Sequence, residues 1–331
     1  MSDPQHPNQP VGWGILGAAR IAGKAILPAL QHARNARVVA IASKDLRRAA
    51  KYAEEHEIPD YYGAYEPMLY NPDVEAVYIA LANADHALWT QRALEAGKHV
   101  LVEKPFAMNS YEAVAMTARA RENYLMVMEA LMYRFHPQFD EVRWLVADGA
   151  IGELRLVRSA FSYQLERQED FRWSRPLGGG ALFDVGCYGV SAARSFVGRE
   201  PVGVVGQADT GRTGVDESFY GVLDFGDGVR GVLDCSLRGA RRQQLELVGS
   251  TGTITLVAPW QPGPSDTGYF LNGELCLVRG ADQYRLMLEH FSDAVRGLEP
   301  LRFPPEDAVR QAKIMDALLR SARTGSSIKI D

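Results

Sequence analysis

Val11-Gly12-Trp13-Gly14-Ile15-Leu16-Gly17-Ala18-Ala19-Arg20-Ile21-Ala22 is a short apolar run that ends in a turn of small residues and opens onto a helix-forming segment. Val11 to Leu16 has the length and unbroken hydrophobicity of a strand buried on both faces. From Gly17 the turn follows a dinucleotide-binding pattern, with Ala19 in place of the second glycine and Ala22 in place of the third. Such a turn needs a tight bend, then small side chains where the backbone approaches a pyrophosphate, with helix N–H groups facing the anion. Gly17, Ala19, Arg20 and Ile21 are therefore candidate cofactor contacts; a tight turn with no ligand is the competing reading.

The surrounding sequence repeats the alternation. Ile21 to Ala33 places Ile21, Ala25 and Leu30 at helical intervals, Ala36 to Ala42 is a second β-type run, and Leu46 to His56 is a charged, alanine-rich helix. Ala76 to Ala82 reads as a buried strand, Asp85 to Ala96 as a helix stopped by Gly97, and Val100 to Val102 as a strand. Strands alternating with helices imply a parallel sheet, because each crossover needs a helix to return the chain. A doubly wound α/β domain is expected over residues 11–124.

Beyond Asn123 the pattern changes. Leu125 to Tyr133 looks like a strand, and Gln138 to Ala147 like a helix closed by Gly149. Strand-like runs follow at Leu154 to Leu165, Val202 to Ala208, Ser218 to Phe225, Val229 to Ser236, Gln243 to Val248 and Thr253 to Val257. Phe225-Gly226-Asp227-Gly228-Val229 and Gly249-Ser250-Thr251-Gly252 have the chemistry of hairpin turns. An α+β domain with a large, mostly antiparallel mixed sheet is expected over residues 125–331. It closes with helices at about Tyr284 to Arg296 and Glu306 to Arg323, the last of which is expected to pack back on the first domain.

The chain's 331 residues exceed what one hydrophobic core usually serves, in keeping with two domains. A formal net charge of -5 argues against nucleic acid or an anionic membrane as partner. Cys187, Cys235 and Cys276 have neither metal-ligand spacing nor an even-numbered disulfide framework, which fits a reducing compartment with Cys187 packed rather than reactive. Met1 to Pro10 is polar with three prolines and reads as a disordered tail, not an export signal. No apolar stretch approaches the ~20 residues of a membrane span. A cytoplasmic location is expected, and no cluster of His, Cys and carboxylates suggests a metal.

The end of the second strand bears on the choice between NAD and NADP. A carboxylate there would bind the ribose 2′-hydroxyl and repel a 2′-phosphate, but the chain reads Ile41-Ala42-Ser43-Lys44-Asp45. Ser43 offers a hydroxyl and Lys44 a charge to a phosphate, while Asp45 is placed to cap the next helix. NADP is therefore expected rather than NAD, with Lys44 as a solvated surface lysine the alternative. Ala82, Asn83 and His86 follow the strand ending at Ala82 and are candidate cofactor contacts. For His86, a structural hydrogen bond at a helix start is an equal reading. Glu103-Lys104-Pro105 follows the strand Val100 to Val102, which places Glu103 and Lys104 where open α/β sheets bind ligands.

The chain resembles the glucose–fructose oxidoreductase and inositol dehydrogenase (Gfo/Idh/MocA) family. The resemblance runs from the Gly17 turn through Glu103-Lys104-Pro105, Glu129-Ala130-Leu131-Met132-Tyr133-Arg134-Phe135-His136-Pro137 and Gly149-Ala150-Ile151-Gly152. It then reaches Gly178-Gly179-Gly180-Ala181-Leu182-Phe183-Asp184-Val185-Gly186-Cys187-Tyr188. It implies a Rossmann domain, a second domain whose sheet joins copies into a homodimer or homotetramer, and a cis Lys104–Pro105 peptide. Tyrosine where many members carry histidine implies the branch of aldose and xylose dehydrogenases and dimeric dihydrodiol dehydrogenases.

The resemblance assigns catalysis to Lys104, Asp184 and Tyr188. A phenol of pKa about 10 is a poor base at neutral pH, and a nearby ammonium lowers that value. Tyr188 would then take a hydroxyl proton as hydride leaves the same carbon. Asp184, at i−4, would orient Lys104 or a substrate hydroxyl. Arg172 and Trp173 are candidates to close over the nicotinamide, and Met132, Arg134 and Arg172 to line the sugar site. The expected activity is NADP-dependent hydride transfer at a carbinol carbon, C1 of an aldopyranose. A trans-dihydrodiol dehydrogenase is the nearest alternative, although members of that kind tend to carry tryptophan at the position of Met132. A nicotinamide-binding regulatory protein without turnover is the alternative from another class. The short segment before Val11 favours a cofactor that exchanges.

Overall fold

The computed structural model describes residues 9–330. Most of the expected tail, Met1 to Asn8, lies outside the described residues. The chain divides into two units, one running to Met132 and including Tyr284–Val309, the other comprising Tyr133–Gln283 and the chain from Arg310 onward.

The first unit is built on β1 (Val11–Leu16), β2 (Ala36–Ala42), β3 (Asp60–Tyr62), β4 (Ala76–Ile79), β5 (His99–Val102) and β6 (Val127–Glu129). They form a sheet in the order β3-β2-β1-β4-β5-β6, parallel at every pairing. The crossovers carry α1 (Leu27–His32), α2 (Leu46–Glu55), α3 (Tyr65–Leu69), α4 (His86–Glu95) and α5 (Ser110–Glu122). All six residues of β1 are buried, as its unbroken apolar run requires of a central strand.

Two expectations for this unit are corrected. A π-helical turn, Ala22–Ile26, precedes α1, and the buried residues are Ala22, Ile26, Leu27, Ala29 and Leu30 rather than Ile21 and Ala25. The wider turn rotates the apolar face away from the 3.6-residue spacing. The expected strand Leu125 to Tyr133 is cut to Val127–Glu129, followed by a 3-10 turn at Met132–Phe135. Because Val127 to Glu129 pair in parallel with Val100 to Val102, this strand completes the first sheet, and the division falls after Met132 rather than at 124.

The second unit opens with α6 (Pro137–Ala147), and α7 (Cys187–Val197) follows a second π-helical turn at Leu182–Gly186. Its sheet holds β7 (Leu154–Gln164), β8 (Gly203–Thr210), β9 (Asp216–Asp224), β10 (Arg230–Ser236) and β11 (Arg238–Gly249). β12 (Thr253–Leu256), β13 (Thr267–Leu271), β14 (Glu274–Val278) and β15 (Ile328–Lys329) complete it. The order is β14-β13-β12-β11-β7-β10-β9-β8-β15, antiparallel except where β10 runs parallel to β7. The Gly226-Asp227-Gly228 turn has φ of 76°, 50° and 77°, the left-handed backbone its sequence calls for.

Two helices follow the strands, α8 (Gln283–Val295) and α9 (Pro305–Thr324). Both return to the first unit: at α8 Trp13 Nε1 donates to Ser292 Oγ at 3.1 Å and the Trp13 ring meets Phe291 at 5.4 Å, and at the start of α9 Glu306 pairs with Arg121 at 2.6 Å. α9 passes into the second unit at Arg310, where Ser321 Oγ accepts the N–H of Gly206 on β8 at 2.9 Å.

Candidate active site

In the first unit, Gly17 has φ of 102°, and a Cβ there would lie 2.5 Å from the Ala80 carbonyl oxygen. Only glycine fits, so the turn after β1 brings bare backbone to the carboxyl edge of the sheet. Ala18 and Ala22 beyond it are buried, Ala19 and Ile21 are half-buried, and Arg20 is exposed. This cradle suits the diphosphate of a dinucleotide. At the end of β2, the Asp45 carboxylate accepts the N–H groups of Arg47 at 2.9 Å and Arg48 at 3.4 Å, capping α2. Ser43 is 7% exposed and its Oγ accepts the N–H of Asp45. Lys44 is exposed, 3.6 Å from Asp85 and 5.6 Å above the Tyr65 ring, so it is steered rather than free in solvent. The edge thus presents a hydroxyl and a cation, with its carboxylate turned to the helix.

The segment after β5 is fastened on several sides. The Lys104–Pro105 peptide is cis. The Tyr78 hydroxyl donates to Glu103 Oε1, and Glu103 Oε2 accepts the N–H of Lys104 at 3.3 Å. Glu129 on β6 accepts the N–H of Phe106 at 2.9 Å. For His86 the geometry favours the structural of its two readings. Its ring is fully buried, with Nδ1 2.8 Å from the Pro105 carbonyl and Nε2 3.2 Å from that of Leu81. Burial pushes its pKa down to about 4, and both nitrogens face backbone, so the side chain braces the Lys104 loop rather than meeting a cofactor. Asn83, 5% exposed, opens the 3-10 turn after Ala82.

In the second unit, the helix bearing Asp184 and Tyr188 begins against Asp216, the first residue of β9. Asp216 Oδ2 accepts the N–H of Leu182 at 2.6 Å, and a Cβ on Gly180, whose φ is 126°, would meet Asp216 Oδ1. Asp184 is 5% exposed; its Oδ2 accepts the Tyr163 hydroxyl at 2.6 Å, and its Oδ1 lies 2.8 Å from Arg172 Nε. Arg172 Nη1 also reaches Asp170 at 3.0 Å. The Tyr188 ring sits among Tyr133, Phe161 and Trp260, with centroids 5.8, 5.5 and 5.7 Å away.

Other expected substrate contacts have packing roles. Arg134 is 3% exposed and its Nε donates to Ser191 Oγ on α7 at 2.8 Å, so it ties the 3-10 turn to that helix instead of offering its guanidinium to a sugar. Trp173 is buried, donates Nε1 to the Arg167 carbonyl at 3.0 Å and lies under the Arg238 guanidinium, which leaves its ring committed to the protein. Met132 is 2% exposed in the core of the first unit. Sequence reasoning missed Tyr163, Asp170 and Asp216. Tyr163 lies in a run read only for its apolar alternation, Asp170 and Asp216 lie outside such runs, and for Tyr163 and Asp216 no local pattern marks the distant partner. Among the described residues no group of His, Cys and carboxylates could hold a metal ion, and no helix is long and apolar enough to cross a membrane.

A parallel sheet with a dinucleotide cradle at its carboxyl edge, in one chain with a large mixed sheet, defines a two-domain nicotinamide-dependent oxidoreductase. The chain belongs to the Gfo/Idh/MocA family: residues 11–131 match the NAD-binding Rossmann fold of that oxidoreductase family and residues 139–255 match its C-terminal domain. It is 35% identical over 325 residues to a D-xylose 1-dehydrogenase (NADP(+)) of Haloferax volcanii, covering 96% of this chain and 99% of the relative. It is 36% identical over 259 residues to the trans-1,2-dihydrobenzene-1,2-diol dehydrogenase of Homo sapiens, covering 76% of this chain and 75% of the relative. Among solved structures it superposes with a TM-score of 0.91 on a 3-ketoreductase from Actinomadura kijaniata in complex with NADP and TDP-benzene. That match has 33% identity and covers 95% of this chain and 98% of the other.

Proposed function

We propose that the protein is an NADP-dependent sugar dehydrogenase acting at C1 of an aldopyranose. The observation that carries the cofactor choice is the end of β2, where Asp45 is spent on capping α2 and Ser43 and Lys44 remain for a 2′-phosphate. The Haloferax volcanii xylose dehydrogenase, similar over nearly the full length of both chains, supports the substrate class. NADP, when bound, supplies hydride acceptance and donation. The residues to hold it are the Gly17 turn through Ala19 and Ile21, with Ser43 and Lys44 at the ribose.

Tyr188 takes the proton of the C1 hydroxyl. Lys104 favours the phenolate through its positive charge and so brings a phenol of pKa about 10 into working range. Asp184 accepts a hydroxyl of the sugar. In the test, aldoses and trans-diols are screened with both nicotinamides, followed by Tyr188→Phe and Lys104→Met. Turnover of an aldose with NADP and a ~10²–10⁴-fold fall in kcat for each variant, with NADPH binding kept, supports the reading. Near-wild-type turnover in Tyr188→Phe overturns it. A second reading, trans-dihydrodiol dehydrogenase, is favoured by the similarity to the human enzyme and is chosen if only diols turn over. Val205, Tyr220, Val222 and Val232 are exposed on one face of the second sheet, which supports assembly of copies through that face, as sedimentation would measure.

A further inference from the structure

Asp184 is gripped by two groups that the proposed proton transfer does not use. Tyr163, near the end of β7, donates its hydroxyl to Oδ2 at 2.6 Å. On the other side Arg172 Nε lies 2.8 Å from Oδ1. Arg172 is itself anchored: Asp170 Oδ1 receives its Nη1 at 3.0 Å and its backbone N–H at 3.2 Å. A strand, a 3-10 turn and the π-helical turn before α7 therefore converge on one carboxylate. With the Tyr163 hydroxyl bonded to one oxygen and the Arg172 charge beside the other, its plane cannot turn without breaking a hydrogen bond or an ion pair.

The protonation of the two groups is fixed as well. Burial, with the Asp184 charge behind it, pushes the Tyr163 phenol far above its ordinary range, so it stays a protonated donor and is no rival base to Tyr188. Burial opposes the charge on Arg172, but the Asp184 and Asp170 carboxylates outweigh it and raise its pKa.

We propose that Tyr163, together with Arg172, is a positioning residue for Asp184, setting the orientation and negative charge with which that carboxylate accepts a substrate hydroxyl. The substrate's identity rests on the sugar dehydrogenase reading; the coupling of Tyr163 to Asp184 does not.

The experiment is a double-mutant cycle of Tyr163→Phe and Asp184→Asn in the full-length protein, with whichever substrate the screen identifies. Tyr163→Phe keeps the ring and removes the donor. It is expected to raise KM for the substrate about tenfold while NADPH affinity stays within about twofold. The acidic limb of its kcat/KM profile moves to higher pH, since the ionised carboxylate has lost a donor. In the Asp184→Asn background the same change costs little more, as for residues acting through one another. Arg172→Lys, which keeps the charge but not the fork, repeats the cycle if Tyr163→Phe does not fold. Should the wild type turn over nothing, the sugar reading fails. The cycle is then read in thermal stability between pH 3 and 5, where Tyr163→Phe should matter only while Asp184 is present. Wild-type kcat/KM and pH profile in Tyr163→Phe, or losses that add fully with Asp184→Asn in either readout, overturn the proposal.

Discussion

The Asp216 carboxylate accepts the backbone N–H of Leu182 at 2.6 Å, fastening the start of β9 to the first turn of the helix that carries Asp184 and Tyr188. Helix starts leave N–H groups without intrahelical partners, and a buried one is costly to leave unmatched. Asp216→Leu should therefore lower stability by about 1–3 kcal/mol, and Asp216→Asn, which keeps an acceptor, by less. Chemical denaturation of the two variants would check the order; equal losses would show that the acceptor is not what matters.

The cofactor preference turns on Lys44. Wild-type protein should bind NADPH at least about tenfold more tightly than NADH, since a charge-assisted phosphate contact is worth ~1.5–3 kcal/mol. Lys44→Asp should reverse the order. Fluorescence titration with both nucleotides measures this, and equal affinities unchanged by the substitution would refute the assignment.

Gly17 leaves no room for a side chain, because its φ of 102° and the Ala80 carbonyl both exclude one. Gly17→Ala should cost about 1–3 kcal/mol in strain and shift the turn that meets the diphosphate. Dinucleotide binding, measured by calorimetry, should weaken more than tenfold, the ~1.4 kcal/mol that each decade requires. Unchanged affinity would separate this turn from the cofactor.

Acid should loosen the first unit. Burial depresses His86 and His99 to about 4. A depressed base contributes stability that is present above its unfolded pKa of about 6.5 and is lost as pH falls toward 4. At pH 4.5 the loss should be on the order of 2–3 kcal/mol for each histidine. In the second unit Asp216 has the opposite sign: burial raises its carboxyl to about 6, so its contribution is present at low pH and lost as pH rises through 6. His99→Asn should remove about half of the histidine-dependent slope; a slope equal to wild type would refute the attribution. The substitution also disturbs the acceptor for the Met126 N–H, at 3.0 Å from His99 Nδ1, so its effect is read as slope, not as stability at pH 7.

The sequence alone determined those features whose causes lie within a few residues of one another. The buried β1, the Gly17 turn, the Asp45 cap and the Gly226-Asp227-Gly228 hairpin each follow from local spacing, a required left-handed φ or a side chain reaching its own backbone. The tertiary structure decided what depends on which elements become neighbours. Val127 to Glu129 read as the start of a new domain until their pairing with β5 made them the sixth strand of the first sheet. His86 read equally as a cofactor contact and as a structural histidine until its ring was found buried between two carbonyls. Asp184 drew Tyr163 from 21 residues away, and Leu182 drew Asp216 from 34. Strand order and register choose such partners, and a polar side chain in an alternating strand carries no local mark of the group it will meet.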